Sequence, residues 1–180
     1  MNHSSSCVAV YLPSLASSDE INSISDSIDI LLSLDYSANK LSVIGKGSSQ
    51  GDDAIGLYKA FEKTHFKGKQ DEFWQSIWRL LAGEAFFLIP DFGSLTVAGG
   101  LSSILSTETL DKTCSQEFTA LGKALHCLGI PENSILRYES TLKSGQVLLI
   151  IHGSNQQVAE AGDILEALQN SNEVSLHFVN

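Results

Sequence analysis

The sequence predicts an α+β fold, on three observations. A β-prone apolar run stands near each end of the chain, an amphipathic helix and a second β-prone run follow each, and the interval between the two units is too long for a plain connection. Residues 7–12 are apolar and stopped by Pro13, as a buried strand would be. Ser17 and Glu20 then form a capping-box pattern ahead of Ile21, Ile24, Ile28, Leu31 and Leu32, which recur at helical spacing, with Asp19, Asp26 and Asp29 on other faces. That helix should end near Asp35. Residues 41–44 give a second strand, left through Gly45 and Gly47.

The C-terminal unit repeats this order. Residues 146–151 form an almost continuous apolar run, suited to a central strand, and 152–155 turn the chain into a helix striped by Val158, Ala161, Leu165 and Leu168, joined by Ile164. Residues 170–173 break the helix. The last strand, 174–179, alternates, with Val174, Leu176 and Phe178 on one face and Ser175, His177 and Val179 on the other. Two such units predict a ferredoxin-like βαβ…βαβ plan of four antiparallel strands backed by helices, with a large helical and β-hairpin insertion between the second and third core strands. The frame would comprise 7–45 and 130–180, and the insertion 52–128, within a single domain, 1–180. The alternative, an open α/β sheet, would need right-handed parallel crossovers from the same units.

Within the insertion, 54–65 can form a helix with Ile55, Tyr58 and Phe61 on one side, and 66–70 form a short basic turn. Asp71 opens a helix containing Phe73, Trp74, Ile77, Trp78, Leu80 and Leu81. Pro90, Asp91 and Gly93 separate two apolar runs within 85–98, which predicts a hairpin protruding from the four-stranded sheet. Apolar on both faces, it would be either a core element or a contact surface. Its candidate interface residues are Phe86, Phe87, Leu88, Ile89, Pro90, Phe92, Leu95 and Val97. From 115 a helix through Phe118, Leu121, Leu125 and Leu128 stops at Gly129. Pro131 then begins another, carrying Glu132, Leu136, Tyr138 and Leu142 to Gly145. Glu139 and Lys143 are spaced as a surface ion pair on it.

Composition narrows the function classes. Eleven lysines and arginines against 21 aspartates and glutamates give a net charge of -10, which repels phosphate backbones, so neither nucleic acid nor anionic membrane is expected as a partner. In the apolar middle stretch, which Arg79, Glu84 and Asp91 interrupt, the longest uncharged span, 92–107, falls short of the roughly 20 apolar residues of a spanning helix. Membrane association is therefore not expected. Cys7, Cys114 and Cys127 form no CxxC pair and stand at no zinc spacing, which suits thiols in a reducing compartment. The polar start of the chain and the shortness of the apolar run after it give no signal peptide, so a cytoplasmic location is expected.

Specific chemistries find no motif. The loop 45–51 lacks the closing GK[ST] of a phosphate loop and misses dinucleotide glycine spacing by one residue. Five histidines are scattered, with no HxxxH or HExxH, and no GxSxG elbow is present. His152, at the end of a central strand, is the one histidine placed where active-site groups occur. No catalytic residue, metal ligand or cofactor is assigned from these patterns.

The 83–100 segment, together with Gly129-Ile-Pro-Glu132, Tyr138-Glu139, Leu142-Lys143 and Gly145, resembles a bacterial family of uncharacterised proteins related to general-stress and heat-induced stress proteins. That resemblance covers about the last two thirds of the chain and implies a strand-helix-strand frame around a glycine-rich apolar middle. It implies a condition of expression and no catalytic residues. Phe86, Phe87, Phe92 and the two tryptophans stand here where the family has small residues. The leading expectation is a non-catalytic, homo-oligomeric regulatory or interaction module, a homodimer in its simplest form, with the hairpin in or near the interface. The second is a small-molecule sensor with its ligand between the sheet and the insertion. An enzyme ranks third.

Overall fold

The computed structural model describes residues 7–12, 18–46, 71–81, 84–89, 92–106, 118–168 and 173–178. The helix expected over 54–65, the basic turn at 66–70 and most of the glycine loop after Lys46 lie outside the described residues.

The elements, in chain order, are β1 (Cys7–Leu12), α1 (Ser18–Ser33), a 3-10 turn (Ala38–Lys40), β2 (Leu41–Lys46), α2 (Asp71–Leu80), β3 (Glu84–Ile89), β4 (Gly93–Gly99), α3 (Gly100–Leu105), α4 (Ala120–Cys127), α5 (Glu132–Lys143), β5 (Leu148–Gly153), α6 (Asn155–Leu168) and β6 (Glu173–His177). Among the described residues the chain is a mixed helix and strand structure with one six-stranded sheet, ordered β3-β4-β2-β5-β1-β6. Every neighbouring pair is antiparallel, so the parallel alternative does not hold. Within each strand-helix-strand unit the two strands run the same way but do not touch. β5 lies between β1 and β2, and β1 lies between β5 and β6.

That interleaving explains the apolar run in β5. Leu148, Leu149, Ile150 and Ile151 are all fully buried, because a central strand meets helices on both faces. Leu149 and Ile151, with Leu41, Val43 and Ala98, pack under α1, α2 and α6 through Ile24, Ile28, Leu31, Trp74, Ile77, Val158, Ala161 and Leu165. Leu148 and Ile150, with Ile44, Leu95 and Val97, pack under α3, α4 and α5 through Leu101, Leu121, Leu125, Ile135, Tyr138 and Leu142.

The hairpin is not a protrusion. β4 pairs with β2 in a register from Ser42↔Gly99 to Lys46↔Leu95, and β3 pairs with β4, so both strands extend the sheet. α2 crosses the extended part. A Cβ on Gly45 would stand 2.7 Å from Cζ2 of Trp74, which leaves the indole flush against the strand.

α3 was not predicted, since the glycine pair at 99 and 100 reads as a break. It is instead the joint that lets the chain leave β4 and start a helix against the backbone of β2. Gly99 has φ +90 and its Cβ would lie 2.0 Å from the Leu41 carbonyl oxygen. A Cβ on Gly100 would lie 2.1 Å from that of Asn39. Leu101 N–H then donates to Ser42 Oγ at 2.9 Å, anchoring the first turn.

Gly145 provides a control, because it has the same φ of +90 with nothing within 4 Å of its would-be Cβ. Gly145→Ala should cost only the left-handed backbone penalty, about 1–2 kcal/mol. Gly99→Ala should cost more by urea denaturation, since backbone must also move; equal losses would show that the close approach at Gly99 carries no strain.

Candidate functional site

At the end of β5 the chain turns through Gly153 and Ser154 into α6, beside the 3-10 turn that precedes β2. This brings Tyr36, Lys40, His152, Ser154 and Gln157 together. Gln157 organises the group. Its Oε1 accepts from Lys40 Nζ at 2.9 Å and from Ser154 N–H at 3.2 Å, and its carbonyl accepts from Tyr36 Oη at 2.7 Å. Ser154 returns a cap to α6, its Oγ accepting from Gln157 N–H at 3.3 Å. Gly153 makes room for this arrangement, because a Cβ there would meet Gln157 Oε1 at 2.8 Å.

His152 points to the α3 face, where its Cε1 would lie 3.3 Å from a Cβ on Gly100. Its Nδ1 is buried with no hydrogen-bond partner among the described residues. Burial pushes the imidazole below the ordinary histidine value, the Lys40 ammonium pushes it further down, and hydrogen bonding to the Lys40 backbone works the other way. Tyr36 is raised, first by burial and then by Glu160. The group thus presents a cation, a phenol and an imidazole around the first turn of α6, a set that suits an anionic oxygen. Its strongest donors are already committed to Gln157.

A second polar contact ties α5 to the far edge of the sheet. Tyr138, fully buried, places Oη 2.7 Å from Nε2 of His177, with the rings edge to face at 5.8 Å. Burial lowers the His177 pKa, and Arg137 adds to that. A third joins α5 to α4. Thr119 accepts from Gly122 N–H at 3.1 Å as the cap of α4 and donates its hydroxyl to Glu139 Oε1 at 2.5 Å.

Glu139 corrects an expectation. It is buried rather than at the surface, and its neighbour four residues on, Lys143, sits over the Phe92 ring at 5.5 Å instead of pairing with it. Spacing within one helix did not reveal this, because the partner lies across the fold on Thr119. Sequence inspection likewise missed Tyr36, Lys40 and Gln157, whose proximity depends on the crossing of two distant turns.

The candidate interface residues divide. Ile89, Leu95 and Val97 are buried in the chain's own core, so they offer no surface to a partner; β4 lies inside the sheet, under α3, α4 and α5. Phe92 is half-buried beside the same cluster. Phe86, Phe87 and Leu88 lie on β3, but their side chains, and Pro90 entirely, are outside what is described. Cys127 is exposed at the end of α4. Among the described residues no three or more His, Cys, Asp or Glu side chains are grouped to hold a metal ion, and no helix is long and apolar enough to cross a membrane.

The chain matches no family model, no curated protein and no solved structure.

Two outcomes follow from these contacts. The pKa values of His152 and His177 are depressed on folding, so below the ordinary value of about 6.5 these two groups take up protons in the unfolded chain that they do not in the folded one. Stability should hold above that pH and fall below it. His152→Gln should flatten the decline between pH 7 and pH 5.5 in urea titrations; an unchanged slope would remove His152 from the account. Thr119→Ala should cost about 2 kcal/mol by denaturation, since it removes a cap and a donor to a buried carboxyl group, and Thr119→Ser should restore most of it.

Proposed function

We propose that this chain is a non-catalytic interaction module that self-associates through the edge of its sheet, on a ferredoxin-like frame. The order β2-β5-β1-β6 with antiparallel neighbours supports that frame, and the hairpin β3-β4 with α2 to α4 falls within the insertion between its second and third strands. The observation that carries the association is β3. It is a terminal strand among the described residues, five of its six residues are apolar, and it pairs with β4 on one side. A terminal strand offers unmade backbone hydrogen bonds, and an apolar one without lysine or proline is open to pairing with another chain. The stress-related role remains part of this proposal through the resemblance described above, and the regulatory role and cytoplasmic setting remain part of it as expected from the sequence.

Leu88 pairs with Ser94 across the hairpin. Sedimentation of the unmodified chain should show a concentration-dependent oligomer. Leu88→Lys should shift it toward monomer while leaving the far-ultraviolet circular dichroism unchanged. A strict monomer at high concentration, or an oligomer indifferent to Leu88→Lys, counts against the use of β3.

A further inference from the structure

The opposite edge of the sheet carries an independent clue. Five large apolar side chains are exposed among the described residues, at Leu34, Leu136, Leu168, Leu176 and Phe178. Three of them stand on or next to α6 and β6. Leu176 is on β6, Phe178 follows it directly, and Leu168 closes the helix that leads into it. β6 pairs with β1 on one side and is the other terminal strand among the described residues.

We propose that β6 pairs with β6 of a second copy of this chain, antiparallel about a two-fold axis through Ser175, so that two sheets continue as one. The inference shares self-association with the proposed function but does not rest on β3.

The register follows from side-chain parity. A two-fold axis normal to the sheet keeps each face on its own side, so residues opposite one another must share a face. The axis must then pass through a residue, and at Ser175 it sets Glu173 opposite His177, twice, and Val174 opposite Leu176. Centres at 174 or 176 lose the Glu-His pairing. Opposed groups of complementary charge or hydrogen-bonding character stabilise a sheet pair, and so do opposed β-branched and aliphatic residues. His177 is suited to this role in the tautomer whose Nε2 accepts from Tyr138 Oη, because Nδ1 then carries the proton that a carboxylate accepts. Leu176 is held on its face by α6, packed against Gly162, where a Cβ would come within 2.9 Å of its Cδ2. On that face Leu176 would meet Val174 of the partner copy, with Phe178 at each end of the joint. With a net charge of -10 on each chain, the acidic field opposes association, and position 173 is where this register answers an acid with a histidine.

The test uses the full chain carrying Ser175→Cys, treated with a short bismaleimide. Directly opposed Cβ atoms in such a pair stand ~4.5–5.5 Å apart, well within reach of the reagent. A covalent dimer should form in excess of that given by the unmodified chain, whose own cysteines set the background, and of Ser140→Cys, on the exposed face of α5. Adding Glu173→Lys should cut the yield several-fold. A yield no greater than that of Ser140→Cys, or one that Glu173→Lys leaves unchanged, overturns the proposal. Sedimentation of Phe178→Glu, which alters an exposed position beyond the strand, guards against a misfolded Ser175→Cys. Association lost with Phe178→Glu but kept with Leu88→Lys supports the β6 joint against the β3 edge. The reverse pattern sinks the β6 joint and leaves the β3 reading standing, and indifference to both sinks both.

Discussion

Everything in this fold depends on β5 being buried on both faces. Leu148 and Ile150 face one helical layer and Leu149 and Ile151 the other, and the strand also completes the hydrogen bonding of both β1 and β2. Four consecutive fully buried aliphatic side chains, each removing roughly 1.5–3 kcal/mol of apolar surface from water, outweigh any other single stretch in the described chain. Without β5 the sheet falls into two parts, because β2 would lose its link to β1.

The frame was legible because its elements are long and periodic. Ile24, Ile28 and Leu31 on α1, and Val158, Ala161 and Leu165 on α6, lie where the 3.6-residue stripe put them, and the continuous run of β5 marked it as central. The hairpin was legible as a hairpin but not in its place. Whether two apolar runs pair away from a sheet or join its edge depends on contacts at long sequence separation, here β4 on β2, which no local pattern encodes. Gly99 and Gly100 illustrate the same limit. Glycines read as a break when only local conformation is considered, yet here they permit a close approach to the backbone at Asn39 and Leu41.

The polar interior was the least legible part. Thr119 with Glu139, Tyr138 with His177, and Gln157 with Tyr36 and Lys40 are pairs separated by 20, 39, 121 and 117 residues in order of mention. Each satisfies a group that would otherwise be costly to bury, and each ties one helix to another element. His152 was singled out from its position at the end of β5, and the structure brings it beside Lys40, but it arrives with one ring nitrogen buried and unpartnered among the described residues. Burial and the neighbouring ammonium both favour the neutral ring. The polar cluster around α6 therefore acts first as a clamp between the two strand-helix-strand units.

The same layering constrains how the chain can meet a partner. The described part of the sheet has helices on both faces, so its aliphatic residues at 41, 43, 44, 95, 97 and 148–151 have nothing left to offer. An interface on the broad face of the hairpin would have to displace α3, α4 or α5, exposing residues such as Leu101, Leu121 and Leu125 that are now fully buried. The edges carry no such cost. There the backbone of β3 and β6 is already unpaired among the described strands, and a new strand adds hydrogen bonds without uncovering apolar area. Of the apolar surplus that first suggested a contact face, Ile89, Leu95 and Val97 are consumed inside the molecule. Part of what remains on the outside, Leu176 and Phe178, lies where the sheet can grow.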